Sequence, residues 1–429
     1  MVRKPARLID LFESEKAIVN SAVSQPETGE RRRVVIVQKS IPAYRVPFFT
    51  SLRQELEARD IEFVLVGGDS VGADRLKADE SRIEWAHYRL NRRIGIGGRS
   101  LVWQPVINLA RGSDLVIVEQ ASKLLVNYVF LFFQSWSAWP YVGLWGHGGN
   151  LQKNSASRIG EFFKVHTSRH ARWWFAYTEG TRRLMTSRGI PDSRITVVQN
   201  SIDTATLRSA MADMSESDVV AYRVGWKSLT GKTAVYIGSL YPEKRLQFLV
   251  QACTIVAAQL PHFRLLIAGD GSDRRIVEEL ASTHRFVTFL GRVDGKDRVA
   301  LLRIADCIVM PGLVGLAIVD AFAAEAPMVT TGVPYHSPEI EYLEDEVNGI
   351  MVGDSYDPDK YAEAVLRVLC DEDLNLRLRA GCELAAERYT NDAMVKRFVA
   401  GIEQALETTR RDVKLKRSGL LRLRNQKRD

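Results

Sequence analysis

A short glycine-bearing turn leads into a helical pattern in the segment PGLVGLAIVDAFAAEAP, residues 311–327. Backbone N–H groups at the start of a helix lack partners and, with the helix dipole, attract an anion; here they belong to Gly315 and Leu316. Asp320 lies about one turn further on, where it can accept hydrogen bonds from two sugar hydroxyls. The alternative is an acid that the dipole stabilises in an early turn. The first interpretation predicts a phosphate site with a hydroxyl-bearing group beside it.

Three other loops of the second half follow apolar runs that predict strands. In an open α/β sheet, ligands bind at the carboxyl ends of the strands. The loop GSLYPEKRL (238–246) places Lys244 and Arg245 just past a strand end, where they suit a diphosphate. The loop AGDGSDR (268–274) supplies glycines and a helix start, and the tight turn LGRVDG (290–295) can present backbone to a flat base. The candidate base-binding residues in these two loops are Gly271, Arg292 and Val293.

The first half offers two loops of interest. WGHGGN (145–150) follows a predicted strand, and its glycines let the backbone approach a ligand closely. His147 is therefore a candidate active-site residue, and the alternative is a structural histidine in a turn. In IPAYRVPFF (41–49), Tyr44 and Arg45 can meet a phosphate, and packing within a tight turn explains them equally well.

Few other residues have the spacing of reactive or metal-binding groups. No acidic pair follows a predicted strand end, so we expect no metal ion and no cofactor. Glu339 in HSPEIEYL (336–343) also follows a predicted strand and can reach a ligand-binding cleft there, but a surface salt bridge is its simpler interpretation. The four cysteines show neither metal-ligand nor CxxC spacing, and they predict buried thiols in a reducing cytoplasm.

Fully apolar runs alternate with helical patterns along most of the 429 residues, which predicts parallel sheets covered on both faces. The alternation begins after residue 31, weakens after Ile202 and restarts at residue 233. We therefore expect an α/β protein with two doubly wound, Rossmann-like domains that face each other across a cleft. The predicted boundaries are a loosely ordered leader at 1–30, a first domain at 31–203, an inter-domain connection at 204–230, a second domain at 231–388, a helix packing back toward the first domain at 389–408, and a basic tail at 409–429.

Composition excludes several other classes. With 46% hydrophobic and 26% charged residues, the chain is expected to be soluble and globular rather than disordered or fibrous. The N-terminus lacks the sustained apolar core of a signal peptide. The longest apolar run, at 124–145, is interrupted by polar residues and a proline, so a buried helix followed by a strand is the preferred interpretation over a transmembrane span.

The net charge of +7 is concentrated in the last twenty residues, RRDVKLKRSGLLRLRNQKRD, which hold nine Lys or Arg and two Asp. Such a tail, which also carries four leucines, can lie on an anionic bilayer. A solvated, frayed C-terminus is the equal alternative. Nucleic-acid binding is not expected, because the positive charge lies in one terminal segment without interleaved aromatic residues.

These motifs resemble the retaining GT-B glycosyltransferases often called family 4. The matching segments, in family order, are YIGSLYPEKR, LLIAGDGSD, VTFLGRV, ADCIVMPG, GLAIVDAFAAEAPMVTT and NGIMV, and VVQNSID (197–203) resembles the bridge between the two domains. The resemblance covers most of the chain and is firmest in the second half. It implies a nucleotide-diphosphate sugar bound mainly by the second domain and an acceptor bound mainly by the first. It also implies transfer with retained anomeric configuration.

The resemblance carries roles for individual residues. It implies that Lys244 and the helix-start glycine Gly315 bind the donor diphosphate with Leu316, that Asp320 holds the ribose, and that His147 faces the donor sugar. Two positions depart from the family pattern. Ser239, a candidate diphosphate contact, stands where an arginine is common, and Arg245 is a substitute candidate for diphosphate binding; Gly312 stands where the first glutamate of a paired motif meets the donor sugar. The loop at 41–49 resembles the family's acceptor-bordering loop, which implies that Tyr44 and Arg45 lie on the acceptor side.

The function implied is a metal-independent, retaining glycosyltransferase of surface polysaccharide or glycolipid synthesis. Its acceptor would be a glycan or a lipid-linked molecule, and its place the cytoplasm or the inner face of the cell membrane. A nucleotide-sugar epimerase or a glycoside phosphorylase on the same fold is a second enzyme interpretation. The departure at Gly312 also allows a non-catalytic nucleotide-sugar-binding subunit.

Overall fold

The chain is described by a computed structural model over residues 31–69, 81–96, 99–134, 139–149, 168–226 and 231–425, with side chains up to residue 408. It forms two compact units. The first unit contains the described residues up to 148, residues 168–198 and the chain from residue 395 onward. The second unit contains residues 199–394. The predicted leader at 1–30 lies outside the described residues.

The first unit is built on a parallel seven-stranded sheet in the order β3-β2-β1-β6-β7-β8-β9. Its central strands contain uninterrupted buried apolar runs, as expected where helices cover both faces of a sheet. An antiparallel hairpin, β4–β5, forms a separate two-stranded sheet. The strands are β1 (Arg32–Gln38), β2 (Ile61–Asp69), β3 (His87–Leu90), β4 (Arg92–Ile96), β5 (Arg99–Trp103), β6 (Leu115–Glu119), β7 (Tyr141–Gly146), β8 (Trp173–Ala176) and β9 (Ile195–Val197).

The second unit is built on a parallel six-stranded sheet in the order β12-β11-β10-β13-β14-β15. Its core is continuous and consists mainly of Val, Ile, Leu and Ala side chains from these strands and the helices over them. The strands are β10 (Thr233–Ile237), β11 (Arg264–Ala268), β12 (Val287–Gly291), β13 (Cys307–Met310), β14 (Met328–Thr331) and β15 (Gly349–Val352). The prediction of two doubly wound α/β sheets is confirmed.

Thirteen helices are present in the part of the chain that the structure describes. They are α1 (Val46–Glu57), α2 (Ile107–Ala110), α3 (Leu125–Phe133), α4 (Glu179–Ser187), α5 (Thr204–Ala212), α6 (Glu216–Gly225), α7 (Leu246–Gln259), α8 (Arg274–Thr283), α9 (Gly295–Arg303), α10 (Ala317–Ala323), α11 (Pro358–Cys370), α12 (Glu372–Arg388) and α13 (Asn391–Asn425). No helix among the described residues is long and apolar enough to cross a membrane.

The last helix, α13, belongs to the first unit from residue 395 onward. The ring of Phe398 stacks on Phe175 at a centroid distance of 4.4 Å and contacts Trp145 at 5.0 Å. The helix continues to Asn425, so the backbone of the predicted basic tail is helical through that residue. A frayed terminus is therefore not what the structure shows for residues 409–425.

Several local expectations need correction. The stretch at 204–230, predicted to connect the domains, contains α5 and α6, and both bury apolar side chains in the core of the second unit. The hairpin β4–β5 was not predicted. Gly315 and Leu316 precede α10 instead of starting it, since the helix begins at Ala317. Of the four cysteines, Cys370 is exposed.

Both sheets have one point at which the chain reverses its direction of strand addition. In the first unit this point lies between β1 and β6, and in the second it lies between β10 and β13. The loops that leave the two strands diverge there and open a crevice at their carboxyl ends, where doubly wound proteins bind ligands. The geometry therefore directs attention to the loops after these four strands.

Candidate functional site

Lys244 lies at the β10/β13 crevice of the second unit, in a single helical turn, Pro242–Lys244, that follows β10. Its side chain is 6% exposed, and Nζ donates a hydrogen bond of 2.5 Å to the carbonyl of Leu313. Burial lowers the pKa of Lys244 to about 8, and nearby Glu243 opposes the shift. Among the described residues no carboxylate lies within ion-pair distance of Nζ. The site thus contains a buried ammonium group without an anionic partner.

The turn after β13, residues 311–316, is fixed by hydrogen bonds to three other loops. Leu313 N donates to Glu243 O at 2.8 Å, and Ser337 N donates to Val314 O at 2.9 Å. The hydroxyl of Thr331, at the end of β14, donates to Pro311 O at 2.6 Å. Gly315 N and Leu316 N make no hydrogen bond within the described chain, so this turn presents two backbone donors just ahead of α10.

His336 holds the same turn from the other side. Its Nδ1 accepts a hydrogen bond of 3.0 Å from Val314 N, and its Nε2 lies 2.7 Å from the carbonyl of Thr331. Because Nδ1 accepts a hydrogen bond and Nε2 faces a carbonyl oxygen, the ring is neutral and carries its proton on Nε2. Burial lowers the pKa of His336, and the charge of Lys244 acts in the same direction. The histidine therefore stays neutral beside the buried lysine, a role that the sequence analysis missed.

Gly312 packs directly against the backbone that carries the lysine. A Cβ atom at this position would lie 2.1 Å from Glu243 O and 2.6 Å from the Lys244 Cα atom, closer than any side chain tolerates. Glycine is therefore required here by close approach of two backbones. The absence of the family's glutamate at Gly312 is accordingly a structural feature of the turn, because no side chain fits.

Arg245 and Ser239, the candidates for additional diphosphate contacts, have other surroundings. Arg245 adopts a left-handed backbone conformation, and its guanidinium donates to Pro311 O and Thr331 Oγ1, both at 3.3 Å. The same guanidinium lies 4.1 Å from the ring centre of Phe248. Ser239 is exposed, and its carbonyl accepts a hydrogen bond from the buried Tyr236 hydroxyl. Arg245 thus braces the turn, whereas the Ser239 side chain faces solvent.

Asp320, the candidate ribose-binding residue, lies in α10 and pairs with Arg298 of α9 at 2.5 Å. The two side chains are 14% and 34% exposed. Burial raises the pKa of Asp320, and Arg298 opposes that shift. Oδ1 is occupied by the guanidinium, while Oδ2 has no hydrogen-bond partner in the described chain. One carboxylate oxygen therefore remains for a ligand hydroxyl, and Arg298 is a second residue that the sequence analysis missed.

The candidate base-binding loops are tied to the lysine loop by backbone hydrogen bonds. Leu240 N donates to Asp270 O at 2.9 Å, and Gly269 N donates to Gly291 O at 2.7 Å. A Cβ atom on Gly271 would lie 2.1 Å from Leu240 O, so this position also requires glycine. Arg292 is exposed and Val293 is half-buried, at the end of β12. The structure thus brings the second-unit candidates to one edge of one sheet.

In the first unit, His147 follows β7 and is half-buried, with its ring centre 6.1 Å from that of Tyr177. The adjacent Gly148 has a positive φ of 75°. Its N–H donates to Gln120 Oε1 at 2.8 Å, and its carbonyl accepts from Arg188 at 2.7 Å. The histidine is therefore held at the carboxyl edge of the first sheet by a well-braced turn.

Tyr44 and Arg45, the acceptor-side candidates, differ in exposure. Tyr44 is 46% exposed, and Arg45 is 3% exposed. The guanidinium of Arg45 lies 4.8 Å from the ring centre of Trp145 and 5.9 Å from that of Phe48. Arg45 thus packs among aromatic rings, while Tyr44 is accessible to a ligand.

Glu339 is not a surface residue, contrary to its simplest interpretation from sequence. It is buried in the turn Pro338–Tyr342 and accepts a hydrogen bond from Asn200 Nδ2. The hydroxyl of Tyr342 donates to Asn200 O at 3.1 Å. The pair fixes the start of the second unit. Among the described residues no group of three His, Cys, Asp or Glu side chains is placed to hold a metal ion.

We predict that Gly312→Ala separates the turn at 311–316 from the lysine loop. The added methyl group collides with Glu243 O, so the variant should lose about 1–3 kcal/mol in its free energy of unfolding. Urea unfolding monitored by circular dichroism measures this loss. Gly353→Ala is the matched control, because no atom lies within 4 Å of a Cβ atom there. Equal stability of the two variants would contradict the close packing.

Comparison with known proteins places this geometry in a family context. Residues 231–371 match the family model described as glycosyl transferases group 1. An uncharacterized glycosyltransferase of Methanocaldococcus jannaschii is 32% identical over 146 residues, which cover 33% of this chain and 36% of that protein. A D-inositol 3-phosphate glycosyltransferase of Salinispora arenicola is 27% identical over 218 residues, which cover 47% of this chain and 48% of that protein. The alignments span about a third to a half of these relatives.

Solved structures share the fold over most of the chain. HepE of Anabaena, in complex with UDP, matches with a TM-score of 0.65 and 16% identity over 87% of this chain and 99% of that one. Sucrose-phosphate synthase of Thermosynechococcus elongatus matches with a TM-score of 0.63 and 14% identity over 88% of this chain and 100% of that one. Residues 231–371 are therefore similar to the glycosyl transferases group 1, and the chain shares the GT-B fold of these solved structures.

Proposed function

We propose that this chain is a retaining glycosyltransferase of the family 4 type that moves a sugar from a nucleotide-diphosphate sugar to a glycan or lipid-linked acceptor. We place it in surface polysaccharide or glycolipid synthesis. HepE, whose fold is similar, binds UDP, and some relatives of similar sequence are named as inositol phosphate glycosyltransferases and phosphatidylinositol mannosyltransferases. Those names support an acceptor that carries hydroxyl groups, in some cases on a lipid.

One observation carries the proposal: Lys244 is a buried ammonium with no carboxylate partner among the described residues. An unpaired buried charge is costly unless an anion compensates it. The nearby backbone donors of Gly315 and Leu316 favour the same ligand. A diphosphate supplies the missing negative charge, and Oδ2 of Asp320 can take a ribose hydroxyl.

The proposed reaction needs charge stabilisation more than a protein base. The bond between the anomeric carbon and the diphosphate oxygen breaks while the acceptor oxygen bonds to the same face of that carbon. The acceptor proton passes to the departing phosphate oxygen, so atoms and charges balance. Lys244 and the turn N–H groups stabilise the charge that develops on the diphosphate, which is why we propose a metal-independent mechanism. His147 is proposed to contact the donor sugar.

Gly312 favours a second candidate, a non-catalytic subunit that binds the nucleotide sugar. In the family, a glutamate at this position meets the donor sugar, and here no side chain fits. If no other group takes over that contact, the sugar is held by its nucleotide alone. Such a protein would bind the donor without turning it over.

A panel of UDP-, GDP-, ADP- and dTDP-sugars, each with and without a membrane lipid extract, tests the proposal. Release of nucleoside diphosphate only in the presence of extract identifies a transferase and its donor. A changed sugar nucleotide without extract would indicate an epimerase instead. Binding without any release would favour the non-catalytic subunit.

We predict that nucleoside diphosphate binds Lys244 in its charged form. With a pKa of about 8 in the free protein, the lysine loses its charge as pH rises, so the dissociation constant should increase about tenfold between pH 7 and pH 9. Lys244→Ala should bind much more weakly and without this pH dependence, as measured by isothermal titration calorimetry. Lys232→Ala is the control, since Lys232 is exposed at the opposite end of β10. Unchanged affinity in Lys244→Ala would refute the phosphate assignment.

We also propose that the chain binds the inner face of the cell membrane through its basic C-terminal segment. Nine Lys or Arg residues among the last twenty contribute about 1 kcal/mol each near an anionic surface. The buried face of α13, which includes Phe398, Ile402 and Leu406, lies before this segment. These buried side chains are retained when the segment is removed.

Deletion of residues 410–429 should abolish sedimentation with vesicles that contain phosphatidylglycerol. Sedimentation of the full chain should weaken as salt rises, because counterions screen the attraction. Neutral phosphatidylcholine vesicles serve as the control, and retained ellipticity shows that the truncated chain folds. Equal sedimentation of both forms would count against the membrane proposal.

A further inference from the structure

Glu119 occupies the β1/β6 crevice of the first unit, the counterpart of the crevice that holds Lys244. It is the last residue of β6, and β6 pairs with β1 through Val37 and Val118. The crevice at such a reversal point is where doubly wound sheets bind ligands. The residue therefore stands where the first unit is expected to meet its own ligand.

Two hydrogen bonds fix Glu119, and one of its oxygens remains available. Lys39 N, just past the end of β1, donates to Oε1 at 3.1 Å. Asn127 Nδ2 donates to the backbone carbonyl of Glu119 at 2.8 Å and so fixes the strand end. Oε2 has no hydrogen-bond partner in the described chain, and it is not among the fully enclosed polar atoms. This oxygen can therefore accept a hydrogen bond from a ligand hydroxyl.

The charges around Glu119 are positive. Lys39, Lys123 and Arg45 all act on the carboxyl group, and their charges oppose the rise in its pKa that burial causes. These charges favour the ionised, hydrogen-bond-accepting form of the carboxyl group, whereas burial favours its neutral form. The surroundings suit a polar ligand that carries hydroxyl groups.

The neighbouring loop links Glu119 to His147. Gln120 N donates to Trp145 O at 2.9 Å. The side-chain amide of Gln120 accepts from Gly148 N at 2.8 Å and donates to Gly148 O at 3.3 Å. The carboxylate and the histidine thus lie at the ends of adjacent strands, joined by one hydrogen-bonded turn.

We propose that Glu119 is an acceptor-binding residue, whose free carboxylate oxygen accepts a hydrogen bond from a hydroxyl of a sugar or cyclic polyol in the β1/β6 crevice. This inference rests on the proposed transferase function, which requires an acceptor with a free hydroxyl. It adds a residue that neither the motifs nor the family comparison single out.

If Glu119 only braced the sheet, its substitution would act no differently from that of a residue that braces the same strands elsewhere. Asp114 is such a residue and serves as the control. At the opposite end of β6, Asp114 Oδ2 accepts a hydrogen bond of 2.8 Å from Arg33 N, at the start of β1. Asp114 and Glu119 thus link the same two strands in the same way. Only Glu119 lies at the proposed ligand-binding edge, so comparing substitutions of the two residues distinguishes a role in ligand binding from a role in bracing the sheet.

The test measures binding of glucose, mannose, galactose, N-acetylglucosamine and myo-inositol to the full chain by saturation-transfer NMR. Glu119→Gln keeps an oxygen for Lys39 N but removes the charge. At least one of these compounds should bind the wild type and bind Glu119→Gln about tenfold or more weakly. Asp114→Asn should bind like the wild type.

Turnover gives the second readout. With the donor identified by the panel, Glu119→Gln should require more lipid extract for half-maximal nucleotide release, while its KM for the donor stays unchanged. Binding that depends on Glu119 without any turnover would uphold the site and refute the transferase. Binding of no compound, or equal binding by Glu119→Gln and the wild type, would overturn the site even where transfer is observed.

Discussion

The burial of the Lys244 ammonium is the constraint on which the site of the second unit depends. A charge removed from water must find compensating dipoles, and here the Leu313 carbonyl supplies one at 2.5 Å. That contact brings the turn after β13 against the loop after β10. His336 and Thr331 then hold the turn from the β14 side. The lysine and the two unpaired N–H groups of the turn are thus positioned by the same set of contacts.

The same constraint explains the glycine at position 312. The turn can reach Lys244 only if its backbone lies on the backbone of Glu243, and the space left is too small for a Cβ atom. The absence of an acidic side chain at position 312 and the hydrogen bond from Lys244 to the Leu313 carbonyl therefore both follow from this close packing of the two backbones. His336 supports it because a neutral ring can accept from Val314 N, whereas a protonated ring would add a second charge beside the ammonium.

Sequence patterns predicted the parallel sheets because fully apolar strands are a local signal. They made Lys244 and Asp320 candidate site residues because both follow strands in recognisable motifs. Arg298, His336 and Glu119 escaped prediction because each acquires its role from partners that lie 22 to 80 residues away. The close approach at Gly312 was equally invisible, since a glycine in a turn gives no sign of what packs on it. Helices α5 and α6 were missed because their apolar faces are short.

The two sheets share one topology and present opposite chemistry at their reversal points. Within the described ranges, the second unit presents a cation without a carboxylate partner, and the first presents a carboxylate with one oxygen that accepts no hydrogen bond. A nucleotide-diphosphate sugar is anionic, and an acceptor is recognised by its hydroxyl groups. The difference in charge therefore matches the difference between donor and acceptor, without any change in fold. On this view, discrimination between the two substrates arises from single residues at the ends of equivalent strands, where substitutions alter ligand chemistry and leave the core of each sheet intact.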